Sequence, residues 1–229
     1  MTTMDTHKKS LDTAEPGWKR YAFADHFRNA EDEFDACKLG FWLFLATEIL
    51  LFSGLFCAYA MYRMLYPEAF AAGSHHLDVR WGGLNTLVLL VSSFTVAMAI
   101  RCAQRNNQKW LRINLIITIF CAFLFFFIKF AFEYIPKWQQ GIRPGVLYSN
   151  PFAAHPQEPV WWSVYYGATS IHALHVLIGA GLLSWCLYRS VRFQAYGPKH
   201  YTMLENAGLY WHLVDIIWIF LFPLLYLIH

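Results

Sequence analysis

Formal charge is scarce in this chain: Asp, Glu, Lys and Arg make up 14% of its 229 residues, where a soluble domain carries roughly a quarter. Too little charge remains to clothe a water-facing surface, and an ordinary soluble globule is excluded. Cysteine is sparse and unpatterned. Cys37, Cys57, Cys102, Cys121 and Cys186 form an odd set with no CxxC spacing, which excludes a disulfide framework and a zinc ribbon and leaves small buried hydrophobes as the reading. A phosphate-cradling loop, a dinucleotide-binding glycine fingerprint, an HExxH helix and a nucleophile elbow are all missing, as are internal repeats and low-complexity tracts. Long soluble stretches are missing too. The largest are residues 1–38, polar and with the acidic run Glu31-Asp32-Glu33-Phe34-Asp35, and the segment from about Tyr134 to Pro159, whose five prolines predict an extended, packed connector. Residues 1–38 hold no apolar core followed by a small-residue cleavage site, so the first span is expected to do its own targeting.

What is present is apolar length. Hydrophobic residues reach 57% and aromatics 19%, and mean hydropathy is +0.32. Crossing a bilayer core takes about 20 apolar residues. Five stretches qualify, approximately Leu39 to Tyr62, Gly83 to Ile100, Leu111 to Glu133, Val160 to Tyr188 and Ala207 to Ile228. The expectation is an all-α membrane bundle of five helices, with residues 1–38 as a polar segment and 39–229 as the transmembrane domain.

Lys and Arg orient it. Residues 1–38 contribute six (Lys8, Lys9, Lys19, Arg20, Arg28, Lys38), the loop after the second span four (Arg101, Arg105, Lys109, Arg112) and the loop after the fourth three (Arg189, Arg192, Lys199). The opposite side has only Arg63, Arg80, Lys137 and Arg143. The excess of positive charge predicts a cytoplasmic N-terminus and an exterior C-terminus. The net charge of +3 is therefore an orientation signal, and nothing supports a nucleic-acid partner.

Ionisable groups inside the spans are costly in hydrocarbon and mark candidate function. Glu48 stands in the first span, Lys129 and Glu133 at the end of the third, His172 and His175 in the fourth, His212 and Asp215 in the fifth, with Glu205 just before it. Measured from span midpoints, Glu48 and Asp215 both lie about 4 Å to the cytoplasmic side with the fourth-span histidines near the centre, so one buried polar layer is compatible. Lys129 and Glu133, spaced i,i+4, read as an interfacial pair whose side chains snorkel to headgroups. For His172 and His175 two readings stand, hydrogen bonding between helices and metal or haem ligation. The second is weakened because His175 and His212 differ by roughly 7 Å in depth and because only Glu48 or Asp215 remains as a further ligand.

The C-terminal third reads His172-Ala173-Leu174-His175-Val176, Gly179, Glu205, Tyr210-Trp211-His212-Leu213-Val214-Asp215, Trp218 and Phe220-Leu221. In this it resembles subunit III of the cytochrome c oxidase type of haem-copper oxidases. Lys38 to Trp42 with Glu48 and Phe52, Asn85-Thr86 with Ser92-Ser93, and Lys129 with Glu133-Tyr134 resemble the family's preceding core helices, so the likeness covers nearly all of 38–229. Members with seven helices carry two further N-terminal spans; this chain is similar to the shorter, five-helix bacterial form.

The resemblance implies an accessory subunit of a proton-pumping cytochrome c oxidase in the bacterial inner membrane, without redox centres or catalytic residues of its own. Haem and copper would reside in subunits I and II. This chain would pack on subunit I, support proton uptake and turnover stability, and hold structural phospholipid. It further implies Glu48 as the intramembrane carboxylate with His172 and His175 as its imidazole neighbours, and Arg189, Arg192, Lys199 and His200 as headgroup contacts. Two other readings stay open. One is an accessory subunit of a nitric oxide reductase; the other is an independent transporter or membrane cytochrome, against which the lack of inverted repeats and broken spans counts.

Overall fold

The computed structural model describes residues 16–19, 27–151, 153 and 155–228. Most of the polar N-terminal segment, with Lys8, Lys9 and Arg20, lies outside them. Seven α-helices follow in order: α1 Ala30–Leu65, α2 Pro67–His75, α3 Val79–Gln104, α4 Gln108–Lys129, α5 Ile135–Gln139, α6 Glu158–Phe193 and α7 Thr202–Tyr226. Five helical segments are long and apolar enough to cross a membrane, namely α1, α3, α4 continued through α5, α6 and α7. Among the described residues the one strand-like pairing is an isolated antiparallel bridge between Gly197 and His200.

Local chemistry sets the helix ends further out than hydropathy does. Asn29 accepts from the backbone N–H of Asp32 at 2.7 Å, and Glu31, Asp32 and Glu33 fill the first turn. Both features suit a helix N-terminus, where four N–H groups lack intrahelical partners and the dipole favours negative charge. α1 therefore begins at Ala30, not at Leu39, where the apolar run starts. Asp78 caps α3 through Arg80 N–H at 2.9 Å, Asn107 caps α4, and Asn106 makes the intervening turn at φ 56°. At its far end α6 stops at Gln194, φ 47°, in the left-handed region.

The third span differs from expectation in its outer end. A π turn over Phe130–Tyr134 carries the helix on into α5, and Ile135 N–H bonds to Phe130 C=O. Pro136 has no N–H to donate. It sits in the first turn of α5, directly after backbone bonding has shifted to the wider i→i−5 pattern. The connector is thus helical as far as Gln139.

Core positions in each span repeat every seven residues, the spacing that keeps one helix face against its neighbours. Buried residues run Leu45, Phe52, Tyr59 in α1; Leu89, Val96, Ala103 in α3; Leu111, Thr118, Phe125 and Leu115, Ala122, Lys129 in α4; Tyr165, His172, Gly179, Cys186 in α6; and Leu204, Trp211, Trp218, Leu225 in α7. Helices α3, α4, α6 and α7 close into a ring, and α1 lies outside it against α6 and α7. Small residues admit the large aromatics. A Cβ on Gly179 would stand 2.8 Å from Trp211 Cε3, and one on Gly73 1.8 Å from Trp161 Cδ1.

The five cysteines are all free; Cys121 and Cys186 are buried, whereas Cys37 and Cys57 are exposed, so the expectation of buried hydrophobes holds for some of them and not for others. Because α4 and α5 form one span, Gln104 and Gln140 sit at its opposite ends. Single cysteines there, in a background stripped of the native exposed thiols, are expected to react with an impermeant maleimide from opposite sides of sealed vesicles. Labelling of both from one side would contradict the third span.

Candidate functional site

Two polar clusters and one isolated imidazole stand where the residues suggest a single layer. The first cluster joins α1 to α6: His175 Nε2 lies 2.8 Å from Glu48 Oε2, and His175 Nδ1 lies 2.7 Å from the Ile171 carbonyl oxygen. A carbonyl only accepts, so Nδ1 carries a hydrogen. Nε2 and Glu48 then face each other with one proton to share, as imidazolium and carboxylate or as imidazole and carboxylic acid. Phe52 closes over the ring edge-on at 4.9 Å, and Tyr210 stacks beyond it at 6.5 Å.

His172 does not join this pair, which corrects its placement as a neighbour of Glu48. It occupies a seven-residue core position on α6, is fully buried, and packs 5.1 Å from Trp218 and 5.8 Å from Phe125. Neither ring nitrogen has a hydrogen-bond partner among the described residues. Three residues along a helix turn the side chain by about 60°. That suffices to send His175 outward to α1 and His172 into the ring.

The second cluster joins α3 to α7. Ser93 Oγ and His212 Nδ1 are 2.6 Å apart. Asp215, one turn further on, approaches the same Ser93 but has no hydrogen bond within normal limits at either carboxylate oxygen. Beside them Trp211 donates to Ser92 Oγ at 3.0 Å and Trp218 to Thr86 Oγ1 at 3.1 Å.

Lys129 and Glu133 are the larger correction. They are not at a headgroup surface: their side chains are 2% and 6% exposed, with Lys129 Nζ 2.8 Å from Glu133 Oε2. Lys129 also donates to Tyr165 Oη at 3.0 Å and Tyr226 Oη at 2.6 Å. Tyr165 Oη in turn donates to Glu133 Oε1 at 2.5 Å, and Tyr226 Oη donates to the same oxygen. All three ammonium hydrogens are used and both tyrosines accept once and donate once, so the ring is closed. Trp218 and the tyrosines surround the ammonium at 4.9–5.7 Å from their ring centres. A buried cation so enclosed has no reason to snorkel. Tyr165 and Tyr226 were not among the residues anticipated, and Ser93 and Trp218 were noted only as part of the family likeness, with no role at a site. The signal was available in the seven-residue series Leu115, Ala122, Lys129, which puts that lysine on the face α4 turns to the core.

At the opposite end Lys38 Nζ reaches Glu205 Oε1 at 3.1 Å, tying α1 to α7. Next to it lies a cleft of about 820 Å³ between the start of α1, the end of α6 and the start of α7. Arg189, Lys199 and His200 line it with Glu33, Phe41 and Tyr201. Arg192 is exposed and outside the lining. Among the described residues no three His, Cys, Asp or Glu side chains converge as a metal site would require.

These features define a class: a multi-pass α-helical membrane protein whose intramembrane charges meet side chains of its own neighbouring helices. The comparisons sharpen it. The family model described as Cytochrome c oxidase subunit III matches residues 26–229. "Cytochrome c oxidase subunit 3" of Synechocystis sp. is 34% identical over 199 residues, covering 85% of this chain and 76% of that protein. The protein of the same name from Thermostichus vulcanus is 31% identical and covers 87% and 91%, and that from Balaenoptera musculus is 32% identical and covers 82% and 68%. The chain belongs to the cytochrome c oxidase subunit III family and, as such, to a multi-subunit oxidase.

Proposed function

We propose that this chain is the non-redox accessory subunit of a proton-pumping cytochrome c oxidase in a bacterial plasma membrane, packed on subunit I with its N-terminus in the cytoplasm. Haem and copper are held by subunits I and II. The observation that carries this reading is the commitment of four ionisable groups within the spans, Glu48, His175, Lys129 and Glu133. Glu48 is taken by His175 and Lys129 by Glu133 and two tyrosines, so these charged side chains are engaged in holding helices together. The chain then acts as a wall beside the redox subunit. It supports proton uptake and endurance by shaping the protein and lipid around the uptake path.

Structural phospholipid belongs to the same proposal. The 820 Å³ cleft is large enough for a headgroup and the first part of its chains, and it offers guanidinium, ammonium and imidazole side chains from Arg189, Lys199 and His200 beside the apolar walls of Phe41 and Leu182. Phosphate is the chemistry that such a donor set recognises.

Purifying the tagged chain in mild detergent is expected to bring down haem-bearing and copper-bearing subunits at fixed stoichiometry, with phospholipid phosphate retained per haem. The double change Arg189→Ala/Lys199→Ala should lower that phosphate without lowering haem. A chain that purifies alone refutes the oxidase role. Unchanged phosphate in the double variant refutes the lipid site only.

A further inference from the structure

Exposed hydroxyls within the spans mostly bond back to their own helix: Thr47 to Phe44 C=O, Ser53 to Ile49 C=O, Ser163 to Pro159 C=O and Ser184 to Ala180 C=O. Such side chains are at ease against lipid tails. His212 is not. It is half-buried, on the outer side of the contact between α3 and α7, and is the tenth residue after Thr202 in a helix that runs to Tyr226. That places it about 15 Å from one helix end and 21 Å from the other, at the level of the acyl chains, where no headgroup reaches.

Its hydrogen-bonding is half complete. Ser93 Oγ and His212 Nδ1 are 2.6 Å apart, and a hydroxyl both donates and accepts, so Nδ1 is the acceptor in one tautomer and the donor in the other. In either tautomer Nε2, as N–H or as lone pair, has no partner among the described residues. A polar nitrogen left facing hydrocarbon costs on the order of 1 to 3 kcal/mol. One turn away Asp215 is buried, approaches the same Ser93 and has no hydrogen bond within normal limits.

The residues around His212 are spaced as a seat for a helix would be. Thr86, Leu90, Ser93 and Ala97 on α3, and Leu209, His212, Ile216 and Ile219 on α7, are half-buried or exposed along the outer edge of the contact. Both series step by three and four, the spacing into which a third helix packs. Ser93 and Ala97 are small, which lets a partner backbone come close.

We infer that the outer seam between α3 and α7, centred on Ser93 and His212, receives a transmembrane helix of another oxidase subunit, which presents a hydrogen-bonding group to His212 Nε2. Lipid is a poor occupant because its tails supply no hydrogen-bonding group. The inference rests on the oxidase assembly proposed above and adds which face of this chain meets its partner.

The test uses the intact complex with a benzoylphenylalanine photoprobe at Leu90 or Ile216, and at Phe123 on the exposed face of α4 for contrast. Partner-polypeptide adducts are expected from Leu90 and Ile216 and lipid adducts from Phe123. Lipid adducts at both seam positions, a dimer of this chain, or partner adducts at Phe123 alone would each overturn the proposal. His212→Leu should release the chain from the complex on detergent dilution at least several-fold faster, and His212→Gln, whose amide both donates and accepts, should restore slow release. Equal release of the Leu variant, the Gln variant and wild type overturns it as well. Co-purification of the unaltered chain with the haem-bearing subunits reports on assembly separately, so a failure of the seam is distinguishable from a failure of the oxidase role.

Discussion

Lys129→Met is expected to destabilise this chain by about 3 to 5 kcal/mol, because it leaves the Glu133 carboxylate buried without its cation. The ring explains why the single change is so costly. Glu133 Oε2 loses the ammonium at 2.8 Å, and Tyr165 and Tyr226 each lose the donor that fills their lone pairs, in a place where water does not replace it. Four aromatic rings also lose the cation they enclose. Glu133→Gln should fail for the converse reason, leaving an ammonium against four aromatic residues and an amide. Changing both at once removes both charges. Lys129→Met/Glu133→Gln should therefore be distinctly more stable than either single variant, with a coupling of about 1 to 3 kcal/mol, the range for residues in one network. Thermal unfolding of the detergent-purified complex, followed by retention of this subunit, measures all four forms. Additive losses would mean that the ring is not a unit.

The fold was legible where one strong signal decides it. Apolar runs of about 20 residues leave no soluble alternative, and all five expected spans are present. What hydropathy misses lies at the ends. Asn29 and the acids after it start α1 nine residues ahead of Leu39, and the π turn carries the third span through Pro136. A cap or a bulge is decided by a few hydrogen bonds, which average hydropathy does not register. The short α2 escaped for a similar reason. Its nine residues are too few to show a periodicity, and its helix is held by Pro67 at the start and by Phe70 packed against Trp161 at 5.0 Å.

Within the site, depth was readable and rotation was not. Glu48 and His175 were placed at similar depths and do meet. His172, also placed near the span centre, turns away because depth says nothing about which way a helix faces. Lys129 with Glu133 shows the same gap: the i,i+4 spacing made the pair evident, but only the buried series through Leu115 and Ala122 shows that it faces inward. Lys38 was counted with the polar N-terminal segment, which hid its bond to Glu205. The partners that were missed for Lys129 and Glu133 are tyrosines on two other spans, Tyr165 and Tyr226, and single spans carry no record of their neighbours.

Removing the whole subunit tests the accessory role most directly, since a wall and a redox centre fail differently. If haem and copper are held elsewhere, the depleted complex should keep its haem spectrum and its initial rate of oxygen reduction at equal haem. It should then lose activity faster with continued turnover, and fall further behind as pH rises and protons become the scarce reactant. Smaller lesions should reproduce part of this. His175→Ala strands Glu48 against α6, and a buried polar group without its partner costs about 1 to 3 kcal/mol, enough to loosen α1, which the ring of the other four helices does not include. The measurement is oxygen consumption against time for intact, depleted and His175→Ala complexes at two pH values. A normal start with steeper decay, graded from the variant to the depleted form, is the expected record. Immediate and complete loss of activity together with loss of haem absorbance would place a redox ligand on this chain and reverse the reading.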